Sequence, residues 1–130
     1  MNATPRNMEE ITIQKNISPA VNNAGTMHIP VLLHETVDAI APQEGDAIID
    51  GTYGAGGHSA LILERIGAQG KLLAIDWNEH AVRGCAERYA KDARVTCAVG
   101  NFAEIPDIAR LSIFPKANGV ILDLGISSDE

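Results

Sequence analysis

One short stretch constrains the fold of this chain more than any other: an apolar run that ends in a carboxylate and leads into a glycine-rich loop. The run is residues 48–50, Ile-Ile-Asp, and four of the seven residues that follow it are glycine. An amphipathic segment, residues 59–66, comes next. Strand, glycine loop and helix in this order are typical of the first half of a nucleotide-binding unit in an open α/β sheet.

The spacing of the glycines narrows the choice of ligand. Glycine lets the backbone approach a ligand closely and tolerates positive φ, and the N–H groups at the start of the next helix can face that ligand. The dinucleotide fingerprint needs a third glycine where this chain has Ser59. A loop rich in threonine and glycine fits better with a nucleoside ligand that has no pyrophosphate, and S-adenosylmethionine is the leading candidate. A tight structural turn is the alternative.

Composition limits the number of domains and gives no sign of a nucleic-acid surface. A chain of 130 residues, 45% of them hydrophobic, has room for one globular domain. The formal net charge is −7, and residues 1–26 hold two basic and two acidic side chains, so the whole excess of negative charge lies in residues 27–130. Nothing in this balance suggests the basic patch of a nucleic-acid-binding face.

The two cysteines do not form a recognisable motif. Cys85 and Cys97 lie twelve positions apart without a C-x-x-C pair, so neither a zinc site nor a redox pair is indicated, and both are expected at core or near-core positions in a reducing cytoplasm. No apolar run reaches membrane-spanning length, and the N-terminus lacks the hydrophobic region of a signal peptide. We therefore expect a cytoplasmic protein with no membrane contact and no metal ion.

The rest of the chain divides into a tail and one domain. Residues 1–26 are rich in Asn, Thr, Pro and Ala without a sustained period, which predicts a mobile, disordered tail, and residues 27–130 form the domain. Strands are predicted at residues 46–50, 71–75, 94–99 and 119–122, with helices at 30–40, 59–66, 78–89 and 103–111. Continuous apolar strands between helices indicate a parallel sheet covered on both faces, in the spatial order third, second, first, fourth.

A polar residue stands at the end of every predicted strand: Asp50, Asp76, Asn101 and Asp123. Ligands of open parallel sheets bind beyond the carboxyl ends of the strands, so we expect these four side chains to meet at one site. Asp76 follows Gly56 by twenty residues, the distance at which an acidic side chain reaches a ribose diol. The alternative role for Asp76 is to cap the next helix.

Neighbouring residues of the same loops are further candidates. Asn101 can hydrogen-bond an adenine edge with Phe102 against the ring face, although Phe102 is equally compatible with a core position. Asp123 stands where a reacting group would arrive, or else is a solvated loop carboxylate. His58 either touches the ligand or simply starts the helix, and Tyr53 is expected to line the pocket.

Five motifs in residues 27–128 match one known family in order. They are His28-x-Pro30-Val31-Leu32-Leu33-x-Glu35, Asp50-Gly51-Thr52-x-Gly54-x-Gly56-Gly57-His58, Leu73-Ala74-Ile75-Asp76, Asn101-Phe102 and Leu122-Asp123-Leu124-Gly125-x-Ser127-Ser128. With these motifs the chain resembles the ribosomal RNA small subunit methyltransferase H family. The resemblance implies the class I S-adenosylmethionine-dependent methyltransferase fold, a Rossmann-like α/β fold, of which this chain would hold the first four parallel strands.

The resemblance also implies a reaction and a set of site residues. Enzymes of that family use S-adenosylmethionine to methylate N4 of a cytidine at the decoding site of small-subunit (16S) ribosomal RNA, without a metal ion. The implied cofactor contacts are Gly56, Gly57, His58, Asp76, Phe102 and Asp123, together with Glu130, which stands where the family has a glutamine. Asp123 is also the candidate catalytic residue, because its carboxylate can accept the proton of the target amine.

Besides Glu130, three features depart from the family pattern. Ala55 stands where the family often has arginine, and Trp77-Asn78-Glu79 replaces Arg-Asp-Pro, which leaves Trp77 without a predicted role. The chain also stops after its fourth predicted strand. We therefore expect the N-terminal portion of such an enzyme, without the inserted RNA-contacting domain and the later strands, and inactive on its own. Residues 120–122 would then form an unpaired, association-prone sheet edge. The alternatives are a cofactor-binding fragment without turnover and, disfavoured by the glycine spacing, a NAD-dependent oxidoreductase.

Overall fold

The computed structural model describes residues 11–16 and 33–125. These residues form a five-stranded sheet in which all neighbouring strands are parallel. The strands are β1 (Ile11–Asn16), β2 (Ala47–Asp50), β3 (Lys71–Asp76), β4 (Val95–Val99) and β5 (Gly119–Gly125). The helices are α1 (Leu33–Ile40), α2 (Gly57–Ile66), α3 (Glu79–Arg88) and α4 (Ile105–Leu111), with a 3₁₀ turn at Phe102–Glu104 before α4.

The order of the strands confirms the predicted arrangement. The sheet runs β1-β5-β2-β3-β4, so the first and fourth predicted strands are neighbours as β2 and β5. Ile49 of β2 lies opposite Leu73 of β3 on one side and opposite Val120 of β5 on the other. The connections between these parallel strands are crossovers that carry helices, and the helices hide the apolar strands from water.

Two apolar clusters cover the two faces of the sheet. Neighbouring residues of one strand belong to opposite clusters, since Ile48 packs with α1 and α2 whereas Ile49 packs with α4. The first cluster is Val37, Ile40, Ile48, Ile62, Leu63, Ile66, Leu72 and Ile121. The second is Ile49, Leu73, Ile75, Ile105, Ala117, Val120 and Leu122. The two-residue period of a strand, with helices on both sides, explains why the central strands are apolar throughout.

Residues 11–16 differ from the predicted mobile tail. They form β1, which pairs with β5 over six residues, from Ile11 opposite Val120 to Asn16 opposite Gly125. The prediction of an unpaired edge at residues 120–122 is therefore wrong for the described part of the chain, because β5 has a strand on each side. An open edge exposes unpaired N–H and C=O groups, and the β-branched run Ile-Thr-Ile at the start of β1 suits a strand that pairs with them. The rest of the predicted tail lies outside the described residues.

The helices follow the predicted pattern in the described part of the chain. Leu33, Val37 and Ile40 lie at helical spacing along α1, as an apolar stripe, and Val37 and Ile40 are buried. Asn78 caps α3, because its side-chain oxygen accepts from the N–H groups of His80 at 2.8 Å and Ala81 at 3.3 Å. A search of the described residues finds no helix with the length and apolar character needed to cross a bilayer.

Candidate functional site

A cavity of about 600 Å³ lies where the carboxyl ends of β2, β3 and β5 meet the glycine loop. Its lining residues are Leu33, Gly51, Thr52, Tyr53, Gly54, Ala55, Gly57, His58, Asp76, Trp77, Gly100, Asn101, Phe102 and Asp123. Three of the four strand-end residues expected to meet, Asp76, Asn101 and Asp123, line this one cavity. The fourth, Asp50, is fully buried and does not line it.

The glycine loop enters α2 through a conformation that requires glycine. Gly56 precedes the helix with a φ of 92°, and its N–H donates to the Tyr53 carbonyl at 2.8 Å. A Cβ on Gly56 would lie 2.6 Å from the Tyr53 hydroxyl oxygen, so there is no room for a side chain. No side chain caps α2, and its first residues, Gly57 and His58, line the cavity. The start of this helix can therefore receive an anionic or polar ligand group.

Asp76 joins the glycine loop to the end of β3. One carboxylate oxygen accepts from the N–H of Gly54 at 2.7 Å, and the other accepts from the N–H of Asn78 at 2.9 Å. The hydrogen bond from the Asn78 N–H agrees in part with the alternative that Asp76 caps the next helix. The side chain that caps α3 is nevertheless that of Asn78. A carboxylate has about four acceptor positions, so Asp76 can accept further hydrogen bonds from a ligand in the cavity.

Asp50 is a buried carboxylate that holds the glycine loop together. Its two oxygens accept from the Ser59 hydroxyl at 2.6 Å and from the Thr52 N–H at 3.1 Å. Burial raises the pKa of Asp50 above its ordinary value, against the opposing effects of the Ser59 hydrogen bond and of nearby His58. Asp50 therefore fixes the geometry of the loop and makes no contact with the cavity.

The raised pKa of Asp50 leads to a prediction about stability and pH. Because folding favours the protonated carboxyl, the stability that Asp50 contributes is fully present below pH 3.8 and is lost as the pH rises through its folded-state pKa. Asp50→Asn keeps the size and an acceptor oxygen but does not ionise. We expect the unfolding free energy of the wild type to fall relative to that of Asp50→Asn across this window, measured by urea unfolding at a series of pH values. A difference that stays constant with pH would contradict the role of burial.

His58 and Asp123 lie beside each other in the cavity wall. Nδ1 of His58 is 3.8 Å from Oδ2 of Asp123, and the two side chains are only 7% and 16% exposed. Nε2 of His58 is buried and finds no hydrogen-bond partner within the described ranges. The N–H of Asp123 donates to the Thr52 hydroxyl oxygen at 2.6 Å, which ties β5 to the glycine loop. Asp123 is therefore not the solvated carboxylate of the alternative reading, and His58 both begins α2 and lines the cavity.

Aromatic side chains occupy the rim and the interior of the cavity. Phe102 is 51% exposed and Trp77 is 75% exposed, and both line the cavity, so Phe102 is not a core residue. Tyr53 lines the cavity as predicted but is buried, and burial raises the pKa of its hydroxyl to about 12. The side-chain oxygen of Asn101 accepts from the Ala103 N–H at 2.9 Å, so it caps the 3₁₀ turn.

The structure brings most of the predicted site residues to this cavity. Five of them line it, namely Gly57, His58, Asp76, Phe102 and Asp123. Gly56 adjoins the cavity as the residue that precedes α2, and Glu130 lies outside the described residues. The geometry thus gathers the predicted residues, while their roles as cofactor contacts stay predictions.

Two residues of the cavity wall have roles that the sequence does not reveal. Leu33 belongs to the apolar stripe of α1, yet it is only partly buried and lines the cavity. Thr52 supplies the hydroxyl that receives the Asp123 N–H. The sequence signal for Thr52 was a hydroxyl residue two positions after a strand-end carboxylate. Leu33 had no comparable signal, because the position of α1 beside the loop depends on helix packing.

The fold and the site together define a class of protein. A parallel sheet, a glycine loop that leads into a helix without a side-chain cap, and an acidic residue at the end of the next strand are the features of a Rossmann-like nucleoside-binding protein. Comparison with known proteins gives the family. The chain belongs to the MraW methylase family, whose model matches residues 25–130.

Curated relatives carry the same segment within longer chains. Ribosomal RNA small subunit methyltransferase H of Shewanella amazonensis is 41% identical over 104 residues, and that of Shewanella denitrificans is 42% identical over 104 residues. Both alignments cover 79% of this chain and 33% of the relative. The chain therefore spans about a third of the length of these relatives.

Solved structures share the fold. A SAM-dependent O-methyltransferase from Thermotoga maritima matches with a TM-score of 0.52 at 26% identity, over 61% of this chain and 31% of that chain. The fibrillarin of Aeropyrum pernix, in complex with natively bound S-adenosyl-L-methionine, matches with a TM-score of 0.55 at 18% identity, over 63% of this chain and 35% of that chain. The predicted class I methyltransferase fold, with its Rossmann-like sheet, is confirmed.

Proposed function

We propose that this chain forms the S-adenosylmethionine site of a methyltransferase that modifies N4 of a cytidine at the decoding site of small-subunit ribosomal RNA. The observation that carries the proposal is the cavity of about 600 Å³, which combines a glycine loop, a strand-end carboxylate and two exposed aromatic rings. The family and the names of the relatives support the reaction and the class of RNA. Since the chain spans 33% of those relatives, cofactor binding and methyl transfer need separate tests.

The different parts of the cavity suit different parts of the cofactor. Asp76, held in place by two backbone N–H groups, can accept from the ribose hydroxyls. Phe102 and Trp77 offer apolar ring faces to the adenine. Gly57 and His58 stand at the start of α2, where N–H groups and the helix dipole favour the carboxylate of the methionine portion.

Two further proposed contacts have a different basis. Gly56 contributes its left-handed backbone conformation, which brings the loop close to the cavity without a side chain in the way. Glu130 is proposed only because it stands at the position of the family's glutamine.

Asp123 is the proposed proton acceptor of the reaction. When bound, S-adenosylmethionine supplies a methyl group on a positively charged sulfur. The exocyclic amine of cytidine is a weak nucleophile because its lone pair is delocalised into the ring. The Asp123 carboxylate can accept a hydrogen bond from that amine and take up its proton, while Thr52 fixes the Asp123 backbone. Alignment of the two reactants in such a site can contribute about 7–11 kcal/mol to the acceleration.

Trp77 provides a direct test of cofactor binding. It is the single tryptophan of the chain and lines the cavity at 75% exposure, so a ligand that enters should change its fluorescence. We expect a saturable change on titration with S-adenosylmethionine and none with NAD, with calorimetry as the second readout. A response to NAD alone would overturn the proposal in favour of an oxidoreductase.

Methyl transfer is tested with labelled S-adenosylmethionine and small-subunit ribosomal RNA, followed by digestion to nucleosides. Label in N4-methylcytidine supports transfer by these residues alone. The second candidate function, a cofactor-binding portion without turnover, is favoured by the net charge of −7, which suits RNA poorly. Cofactor binding without any label supports that candidate, and label in a different nucleoside contradicts the proposed target.

Asp76→Ala is expected to weaken S-adenosylmethionine binding by about 1.5–3 kcal/mol, or roughly 10- to 100-fold in Kd, the scale of hydrogen bonds to a charged group. Isothermal titration calorimetry measures the change. Glu79→Ala is the matched control, because it removes an exposed carboxylate of the same loop-to-helix segment that does not line the cavity. An unchanged Kd in Asp76→Ala would remove Asp76 from the ribose role.

A further inference from the structure

Cys85 and Cys97 touch in the folded chain, although their spacing in sequence does not indicate a redox pair. Cys85 lies in α3 and Cys97 in β4, and their Sγ atoms are 2.6 Å apart. Both thiols are free. A disulfide has an S–S distance of about 2.05 Å, so the sulfurs need to close by only about 0.5 Å to form a bond. The fold therefore holds the two side chains close to the geometry of a disulfide.

The two thiols differ in their access to solvent. Cys85 is 1% exposed, whereas Cys97 is only partly buried. Burial raises the pKa of the Cys85 thiol, and the neighbouring Cys97 sulfur raises it further. A small oxidant from solvent therefore reaches the Cys97 thiol first. The buried Cys85 thiol then reacts with the oxidised Cys97.

We propose that Cys85 and Cys97 form a dithiol site that a hydroperoxide converts into an intramolecular disulfide. The Cys97 sulfur attacks the peroxide, the O–O bond breaks, and Cys97 becomes a sulfenic acid with release of water or an alcohol. The Cys85 sulfur then attacks the Cys97 sulfur, the S–O bond breaks, and the hydroxide leaves as water with the Cys85 proton. Two thiols are oxidised and one peroxide is reduced, and a thiol reductant later returns the disulfide to two thiols by thiol–disulfide exchange.

Tyr53 connects this site to the cavity. Tyr53 packs with Cys85 in one buried cluster, and it also lines the cavity. Its hydroxyl oxygen lies 2.6 Å from the position of a Cβ on Gly56, directly against the turn into α2. Formation of the disulfide changes the sulfur that Tyr53 contacts, so the glycine loop must adjust. This consequence rests on the proposed function, and we expect oxidation to weaken S-adenosylmethionine binding by about threefold or more, the scale of a small change in packing.

The test of the site uses the 130-residue chain treated with hydrogen peroxide. The chain has two cysteines, so an intramolecular disulfide can only join Cys85 and Cys97. Intact mass should fall by two hydrogen atoms, and iodoacetamide should label neither thiol of the unfolded chain until a reductant is added. Two labelled thiols after oxidation, or a disulfide found only between molecules, would overturn the proposal.

Cys97→Ser is the matched control for the crosslink. It leaves Cys85 in its buried place without a partner, so no loss of two hydrogens is expected and one thiol should still react after unfolding. Titration of the reduced and oxidised wild type with S-adenosylmethionine then tests the link to the cavity. An equal Kd in both forms overturns the link through Tyr53, whereas no binding by the reduced form counts against the proposed function and leaves the disulfide result standing.

Discussion

Gly56→Ala is expected to lower the unfolding free energy by about 1–3 kcal/mol and to weaken S-adenosylmethionine binding at least about tenfold. Alanine at a φ of 92° is strained, and its Cβ would lie 2.6 Å from the Tyr53 hydroxyl oxygen and 2.9 Å from the Tyr53 Cζ atom. The ring cannot move away at low cost, because Tyr53 is only 6% exposed and packs with Cys85 in a buried cluster. Urea unfolding and calorimetry measure the two effects.

Gly84→Ala is the matched control for this substitution. Gly84 lies within α3, and a Cβ added there meets nothing within 4 Å. Alanine replaces glycine in a helix with a gain of about 0.5–1 kcal/mol, so Gly84→Ala should raise stability and leave cofactor binding unchanged. If Gly56→Ala behaved like Gly84→Ala, the turn before α2 would not require glycine and the loop geometry described above would be wrong.

Loss of β1 is expected to make the chain associate with other copies of itself more strongly than the wild type does. β1 covers the outer side of β5 along six of its seven residues, from Val120 to Gly125. The double substitution Thr12→Pro and Ile13→Pro removes two successive backbone N–H groups from β1. Successive N–H groups of a strand point to opposite sides, so one of the two belongs to the ladder with β5. The apolar strand β5 then becomes an open edge that pairs with other copies. Sedimentation velocity at several protein concentrations measures the change.

A conservative double variant tests whether self-association comes from the loss of strand pairing or from the change of side chains. Thr12→Val with Ile13→Val keeps β-branched side chains and both N–H groups, so it should sediment like the wild type. In the wild type the outer edge of the sheet is β1, and its sequence includes Lys15, a residue type that discourages pairing at an edge. A double-proline variant that associates no more strongly than the wild type would show that the pairing of β1 does not protect β5.

Much of the candidate site follows from local features of the sequence. The glycine loop directly follows Asp50, and an acidic residue stands twenty positions past Gly56. Both patterns can be recognised within one stretch of the sequence, without knowledge of tertiary contacts. Asn78 likewise caps the helix that directly follows it. The continuous apolar strands between helices indicated a parallel sheet, and β4, β3, β2 and β5 lie in it in the predicted order.

The local conformations, and the edge of the sheet where the polar residues gather, could therefore be predicted from the order of the residues alone. The contacts between distant residues could not: β1 with β5, Cys85 with Cys97, and the Thr52 hydroxyl with the Asp123 N–H. The physical reason is that local conformation depends on the sterics and hydrogen bonds of a few neighbouring residues, whereas these contacts join segments that meet only after the helices have packed on the sheet. A sheet edge also accepts any strand that satisfies its N–H and C=O groups, so the partner of β5 has no signature in β5 itself.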